Sequence, residues 1–206
     1  MAKLNRDSVI REALDLLDEV GLDKISTRGL ARRLGVEQPS LYYHFRKKED
    51  LLSAMAEVAM APHAAAPLPA PTDDWYVWFL DNNRSFRRTL LMRRDGARLH
   101  AGVRPGPSDR ERVRHKMAFL IGAGFGERHA QLAMLAASRF TVGSVLEEQA
   151  ETTSPGQAAG SEIPRIDHEL AFEAGLALLT DGFAPHRTAP TRRDSGVGVG
   201  VGDASQ

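Results

Sequence analysis

Residues 26–52 read STRGLARRLGVEQPSLYYHFRKKEDLL. Leu30, Ala31 and Leu34 recur at helical spacing and stop at Gly35, which predicts a helix of barely two turns beginning at Thr27, with Thr27 as its N-terminal cap. After Gly35 and Val36 the pattern resumes over residues 38–45, with Pro39 in the first turn, where a missing N–H breaks no helical bond. Two short helices across a glycine-containing turn outline a helix-turn-helix. The side chains of the second helix strengthen that outline. Gln38 can pair bidentately with adenine, Ser40 can donate or accept, and Tyr42, Tyr43 and His44 can reach backbone or thymine methyls. Residues 24–48 hold seven basic residues against one acid, Glu37. Arg28 and Lys48 flank the second helix as phosphate anchors. An ordinary three-helix bundle with solvated charges is the competing reading, and the run QPSLYYHF argues against it.

The chain of 206 residues has 27 basic and 27 acidic side chains, so this basic patch is a local polarity on a neutral molecule. It is long enough to bury a core. It has no cysteine, which excludes a disulfide framework, a thiolate zinc site and a cysteine nucleophile. The first twenty residues carry charges throughout and no apolar run spans a bilayer, so the expectation is a cytoplasmic protein without a membrane partner.

Helical periods dominate the rest. Val9, Ile10, Ala13, Leu14, Leu17 and Val20 form one face of a first helix capped by Asn5 and closed by Gly21. A fourth helix is expected over residues 48–60, on Leu51, Leu52, Met55 and Val58. Residues 61–74, APHAAAPLPAPTDD, hold four prolines and cannot continue it. Beyond them Trp75, Phe79, Asn82, Phe86 and Leu90 share one helical face, and further helices are expected over residues 108–123, 127–148 and 167–182. No two-residue alternation occurs, so the class is all-α. The expected division is a helix-turn-helix DNA-binding domain at 1–48, a connecting helix at 49–61, a Pro/Ala connector at 62–74, a second helical domain at 75–186, and a disordered Gly-rich tail at 187–206. Residues 152–165 read as a mobile loop. GAGFGE, residues 122–127, follows a helical pattern and lacks dinucleotide-loop spacing, so it reads as a turn between helices.

The segment TRGLARRLGVEQPSLYYHFRKKEDLL closely resembles the tetracycline-repressor (TetR) family of bacterial transcription regulators. That resemblance implies a homodimer whose recognition helices enter successive major grooves of a double-stranded palindromic operator. Position by position it assigns Thr27, Arg28, Gln38, Pro39, Ser40, Tyr42, Tyr43, His44 and Lys48 to DNA contact. It continues through WYVWFLDNNRSFRRTLLMRRDGARLHAGVRP, MAFLIGAGF and RFTVGSVLEEQ, which look like the tetracycline repressors themselves, proteins that hold a tetracycline–magnesium complex within each subunit. The matching positions here are Asn82, Phe86, His100, Arg104, Pro105, Met117, Met134 and Glu147. His100 and Glu147 would meet a metal only if the effector is a magnesium chelate, and no cofactor is otherwise required. An amide suits polar ring substituents, an aromatic ring suits stacking, and imidazole and carboxylate suit a hard cation and its waters.

Several positions depart from that pattern. A ligand-binding histidine is replaced by Ala64 with His63 just before it, a threonine by Val103, a glutamine by Lys116, and a later histidine by Arg139. The segment before Asp167 is too short for the extra helix that those repressors place over the ligand. The expected effector is therefore a polycyclic or other aromatic, partly anionic compound, with tetracycline–magnesium as an alternative. Read from the residues alone, Asn82 could merely satisfy a helix backbone, and His100 could be a solvated helix-end residue. The helices over 127–148 and 167–182 are expected to pair across a two-fold axis through Ala133, Ala137, Phe172, Leu176 and Leu179. Two other classes stay open: a DNA-binding protein with no effector, and a helical enzyme assembled from scattered groups such as His115, His129 and Glu148, although no hydrolase, zincin or P-loop motif is present.

Overall fold

The computed structural model describes residues 4–104, 106–153 and 167–188. Among these residues there are ten α-helices and no strand, only an isolated bridge between Phe125 and Arg187. No described helix is long and apolar enough to cross a membrane.

The first helix, α1 (Arg6–Val20), starts where expected. The Asn5 side chain accepts from Ser8 N at 2.8 Å while Ser8 Oγ accepts from Asn5 N, so two helix-end donors are satisfied reciprocally. Its buried residues Val9, Ile10, Ala13, Leu14 and Leu17 repeat at steps of three and four. Helix α2 (Thr27–Leu34) is capped by Ser26 rather than Thr27: Ser26 Oγ accepts from Gly29 N at 3.0 Å. This correction frees the Thr27 hydroxyl for a different contact, described below. Helix α3 (Gln38–Tyr42) is three residues shorter than the expected 38–45. The chain tightens there, with the N–H groups of both His44 and Phe45 donating to Leu41 O, which turns Phe45 inward beside Leu41.

Helix α4 (Lys48–Ala59) buries Leu51, Ala54, Met55 and Ala56 in the same cluster as α1, α2 and α3. The prolines then allow only one turn, α5 (Ala61–Ala64), before α6 (Trp75–Leu91), which Asp74 caps by accepting from the N–H groups of Tyr76 and Val77. A short helix, α7 (Gly96–Ala101), had no sequence expectation; its Leu99 inserts into the α1–α4 cluster. Gly96 is required there, because a Cβ would lie 2.1 Å from Leu90 O. The last helices are α8 (Pro107–Gly122), α9 (Glu127–Thr153) and α10 (His168–Phe183), the last capped by Asp167. The GAGFGE segment is the turn between α8 and α9.

Helices α6, α9 and α10 pack together through charge as well as apolar area. Arg84 donates to both carboxylate oxygens of Glu173, and the buried Arg87 joins Glu148 of α9 (2.8 Å) to Glu169 of α10. Phe140 stacks on Phe172 with centroids 5.5 Å apart, and Gly175 makes room: a Cβ there would lie 2.5 Å from Phe140 Cζ. Ala133, Ala137, Phe172 and Leu176, expected at a two-fold interface, are buried inside the subunit and Leu179 is half-buried. The exposed apolar residues of α10 are instead Leu170 (67%) and Leu178 (74%), two turns apart on one stripe.

The expected loop at 152–165 and the tail lie largely outside the described residues. Where the structure does describe them, α9 continues to Thr153, and Thr188 donates through both its backbone N and its Oγ1 to Gly124 O at 3.0 Å. The chain is thus anchored one residue beyond the expected start of the tail.

Candidate DNA interface and effector cavity

The helix-turn-helix face is built by burying Leu30, Ala31, Leu41 and Phe45 and turning everything between them outward. Arg28, Pro39, Ser40, Tyr42, Tyr43 and Lys48 are exposed, Tyr43 by 89%, while Thr27, Gln38 and His44 are half-buried. Tyr43, exposed to that degree, adds nothing to the buried core of this domain. Gln38 Nε2 donates to Thr27 Oγ1 (3.0 Å) and Tyr42 OH (3.2 Å), so α2 and α3 are tied through the side chain best suited to read a base. Not every base of the 24–48 window faces outward for a partner. Arg33 binds Glu12 (2.9 Å) and Glu19 (2.7 Å) on α1, and so holds the bundle together.

A cavity of about 1310 Å³ opens between α4, α5, α6, α7, α8 and α9. His63, Asn82, Phe86, His100, Val103, Arg104, Lys116, Met117 and Met134 all line it. Pro105 lies outside the described residues. Arg139 and Glu147 are exposed on α9 and absent from the wall. The helical period accounts for this: Gln131, Met134 and Ser138 face the cavity, Arg139 is about 140° round the helix from Met134, and Glu147 is about half a turn from Ser138. Within one chain, therefore, His100 and Glu147 do not meet.

Phe86, on α6, is the centre of the apolar wall. Its ring lies 5.4 Å from the His63 ring and 5.0 Å, edge to face, from the His100 ring. His63 Nδ1 is 3.1 Å from Ser85 Oγ, and its Nε2 is 3.3 Å from Lys116 Nζ. An ammonium can only donate, so His63 accepts at Nε2 and carries its proton at Nδ1, directed at the Ser85 hydroxyl. Burial, reinforced by Lys116, Arg112 and His100, depresses the His63 pKa to about 3, which keeps the ring neutral. Burial first, and then Arg112, lowers Lys116 to about 8. His100 is also lowered by burial, against an opposing effect of Asp109.

These residues do not fit a magnesium ion well. Magnesium prefers an octahedron of oxygen ligands. Among the described residues no three His, Cys, Asp or Glu side chains converge on one point. Asp109, the acid facing His100, is engaged at 2.9 Å by Gly106 N. The same wall carries Lys116 and Arg112, whose charge opposes a cation.

Sequence reading passed over Arg112, Ser85 and Asn83. Arg112 lies one helical turn before Lys116 and reaches Ala66 O at 2.7 Å, a position visible in the sequence only as an i, i+4 pair of bases. Asn83, not Asn82, is the buried amide of α6 and donates to Phe79 O at 2.8 Å; Asn82 is half-buried on the cavity wall. The bend after α6 was also richer than expected. Arg93 Nη1 and Arg94 N both donate to Asp18 (2.6 and 2.9 Å), Arg98 pairs with Asp23 (2.6 Å), and Asp95 Oδ2 accepts from Leu22 N (2.8 Å). Four consecutive contacts thus clamp this bend to α1 and the turn after it. The groups considered for an enzyme do not assemble: His115 bonds Pro69 O, His129 stacks on His186, and Glu148 pairs with Arg87.

Family models match both halves of the chain. Residues 9–55 match the family model for bacterial regulatory proteins of the tetR family, and residues 67–165 match that of the tetracyclin repressor-like C-terminal domain. The chain is 46% identical to the tetracycline repressor protein class A from transposon 1721 of Escherichia coli, over 91% of this chain and 94% of that protein. It is similar to the solved structure of a class A TetR in complex with 5a,6-anhydrotetracycline and magnesium (46% identity, 89% of this chain and 100% of that one, TM-score 0.77). It also resembles a TetR-family transcriptional regulator from Streptomyces coelicolor (66% identity, 91% and 99% coverage, TM-score 0.70). The chain belongs to the tetracycline-repressor family of DNA-binding transcription regulators.

Proposed function

We propose that this regulator represses by gripping a palindromic operator as a homodimer and lets go when a small aromatic effector fills the cavity. The observation that carries the reading is the continuity of that cavity. Its wall includes Phe86 and His100 at one end and His44, Phe45 and Arg46, at the end of the recognition segment, at the other. A ligand there contacts elements that hold the DNA-reading helix, so it can favour a conformation in which two such helices no longer match successive grooves. The proposed division keeps residues 1–48 as the DNA-binding domain, 49–61 as the connecting helix, 62–74 as connector and 75–186 as effector and dimerisation domain. Residues Thr27, Arg28, Gln38, Pro39, Ser40, Tyr42, Tyr43, His44 and Lys48 are the proposed DNA contacts. The cavity residues named above are the proposed effector contacts, and Leu170 and Leu178 the apolar centre of the dimer face. Neither a catalytic role nor a required cofactor is part of this reading, and the site of action is the cytoplasm.

The test is an operator-release assay on the full chain with a panel of tetracyclines and other aromatic polyketides. Coupling of about 1–3 kcal/mol predicts a roughly 5- to 150-fold loss of operator affinity with an active compound. A palindrome bound identically in the presence of every compound would support the effector-free alternative instead.

A further inference from the structure

Among the described residues, the buried wall of the cavity holds positive charge with no negative partner. Lys116 is 7% exposed, and its ammonium has three donors. Among the described residues its hydrogen-bond partner is the neutral His63, and no carboxylate forms an ion pair with Lys116 or Arg112. Arg112 is held beside it by Ala66 O. Asp109 faces His100 and is engaged by Gly106 N. Removing an ammonium from water without an anion is costly, and a side chain so placed is paid for by what it binds. Next to this charge lies an aromatic wall, the Phe86 ring with the His63 ring tilted at 39° to it and the His100 ring edge to face.

Resting on the reading of this cavity as an effector site, we propose that the effector is a planar aromatic acid bound without a metal ion: its ionised oxygen meets the Lys116 ammonium and the Arg112 guanidinium, and its rings lie against Phe86. The anion replaces the His63 acceptor with a charged one, a stronger hydrogen bond of better geometry. The donor set disfavours a magnesium chelate for the same reason that it favours an anion. Lys116 delivers the countercharge that a cation would otherwise supply.

The test uses two probes of one shape, anthraquinone-2-carboxylate and anthraquinone-2-carboxamide, titrated against the full chain in excess EDTA and followed by calorimetry, with tetracycline titrated in parallel in EDTA and in magnesium. The wild-type protein is expected to bind the carboxylate roughly ten- to hundredfold more tightly than the carboxamide, the range of one charge-assisted hydrogen bond. Lys116→Gln is expected to reduce that preference several-fold, leaving only the share of Arg112, while still binding the carboxamide, and Lys116→Met, which keeps the packed stem, to do the same. Because the probe comparison is made in wild type, it stands even where a variant fails to fold. Equal affinities for the two probes, or a preference undiminished in both variants, would overturn the inference. Tetracycline binding that appears only with magnesium would overturn it too, while leaving the effector reading intact. Failure of all three compounds under both conditions would overturn the inference together with the effector reading on which it rests.

Discussion

Asp95 is the place where backbone and side chain can be tested separately. It is the only non-glycine residue with positive φ among the described residues (φ 54°, ψ 22°), and its Oδ2 accepts from Leu22 N at 2.8 Å, across from the bend to the turn after α1. The left-handed conformation costs about 1–2 kcal/mol for a residue with a Cβ, less for aspartate and nothing comparable for glycine. A charge-assisted bond to a backbone N–H contributes about 1.5–3 kcal/mol, and the lower end applies because Leu22 is half-buried and water can replace part of it. Asp95→Ala loses the bond and keeps the strained backbone, so it should cost about 2–3 kcal/mol. Asp95→Gly loses the bond but relaxes the backbone and should cost about 1–2 kcal/mol; Asp95→Asn retains an acceptor and tolerates this conformation, and should cost under about 1 kcal/mol. For a chain of this length each kcal/mol moves Tm by about 2–4 °C, so alanine should lower it by roughly 4–12 °C. Melts must be compared at one protein concentration, since association contributes to apparent stability. Alanine melting with asparagine would show that the Leu22 bond contributes nothing, and glycine less stable than alanine would show that the backbone is not strained; either result overturns this account of Asp95.

The other expectations concern DNA, assembly and pH. Gln38→Ala should relax base choice at one operator position by about 1–3 kcal/mol, whereas Lys48→Ala should weaken all sequences alike and reduce the slope of log affinity against log salt by about one; mobility shifts unchanged by both would refute the assignment. Leu178→Glu places a charge on the exposed stripe of α10 and should convert the dimer to monomer in sedimentation at micromolar concentration; an intact dimer would place the interface elsewhere. Lys116 titrates near 8 when folded, against an ordinary 10.5, so the unfolded chain binds the extra proton between those values and stability should rise with pH through that window. His63, at about 3 against an ordinary 6.5, should make stability fall as pH drops from 6.5 towards 3. In thermal melts across pH, Lys116→Met should flatten the alkaline window and stabilise the ligand-free protein at neutral pH by about 1–3 kcal/mol; a destabilised variant with the window intact would show that Lys116 carries no burial penalty.

Most helix positions, and the polar and aromatic run around α3, are legible in the local sequence. Helical periods, the Asn5 cap, the prolines of the connector and the glycines after α1 and α2 act within a few residues, and such signals survive without knowledge of the fold. QPSLYYHF was legible for the same reason: polar and aromatic groups facing outward on a short helix have no apolar contacts to make. Features that depend on what a residue meets far along the chain were decided by tertiary structure alone. Ser26, not Thr27, caps α2, and Thr27 instead meets Gln38 of the next helix. Ala133, Ala137, Phe172 and Leu176 looked like an interface because an apolar face does not say whether its partner lies in the same subunit; α6, α9 and α10 settle that by closing on one another. The clamp from Arg93 to Arg98 was invisible because its acids lie some seventy-five residues earlier. Lys116 was legible as a departure from a pattern, but its burial and its neutral histidine, with no carboxylate partner among the described residues, exist only where α5, α6 and α8 converge, since a charge is costly according to the solvent it loses and not according to its neighbours in sequence.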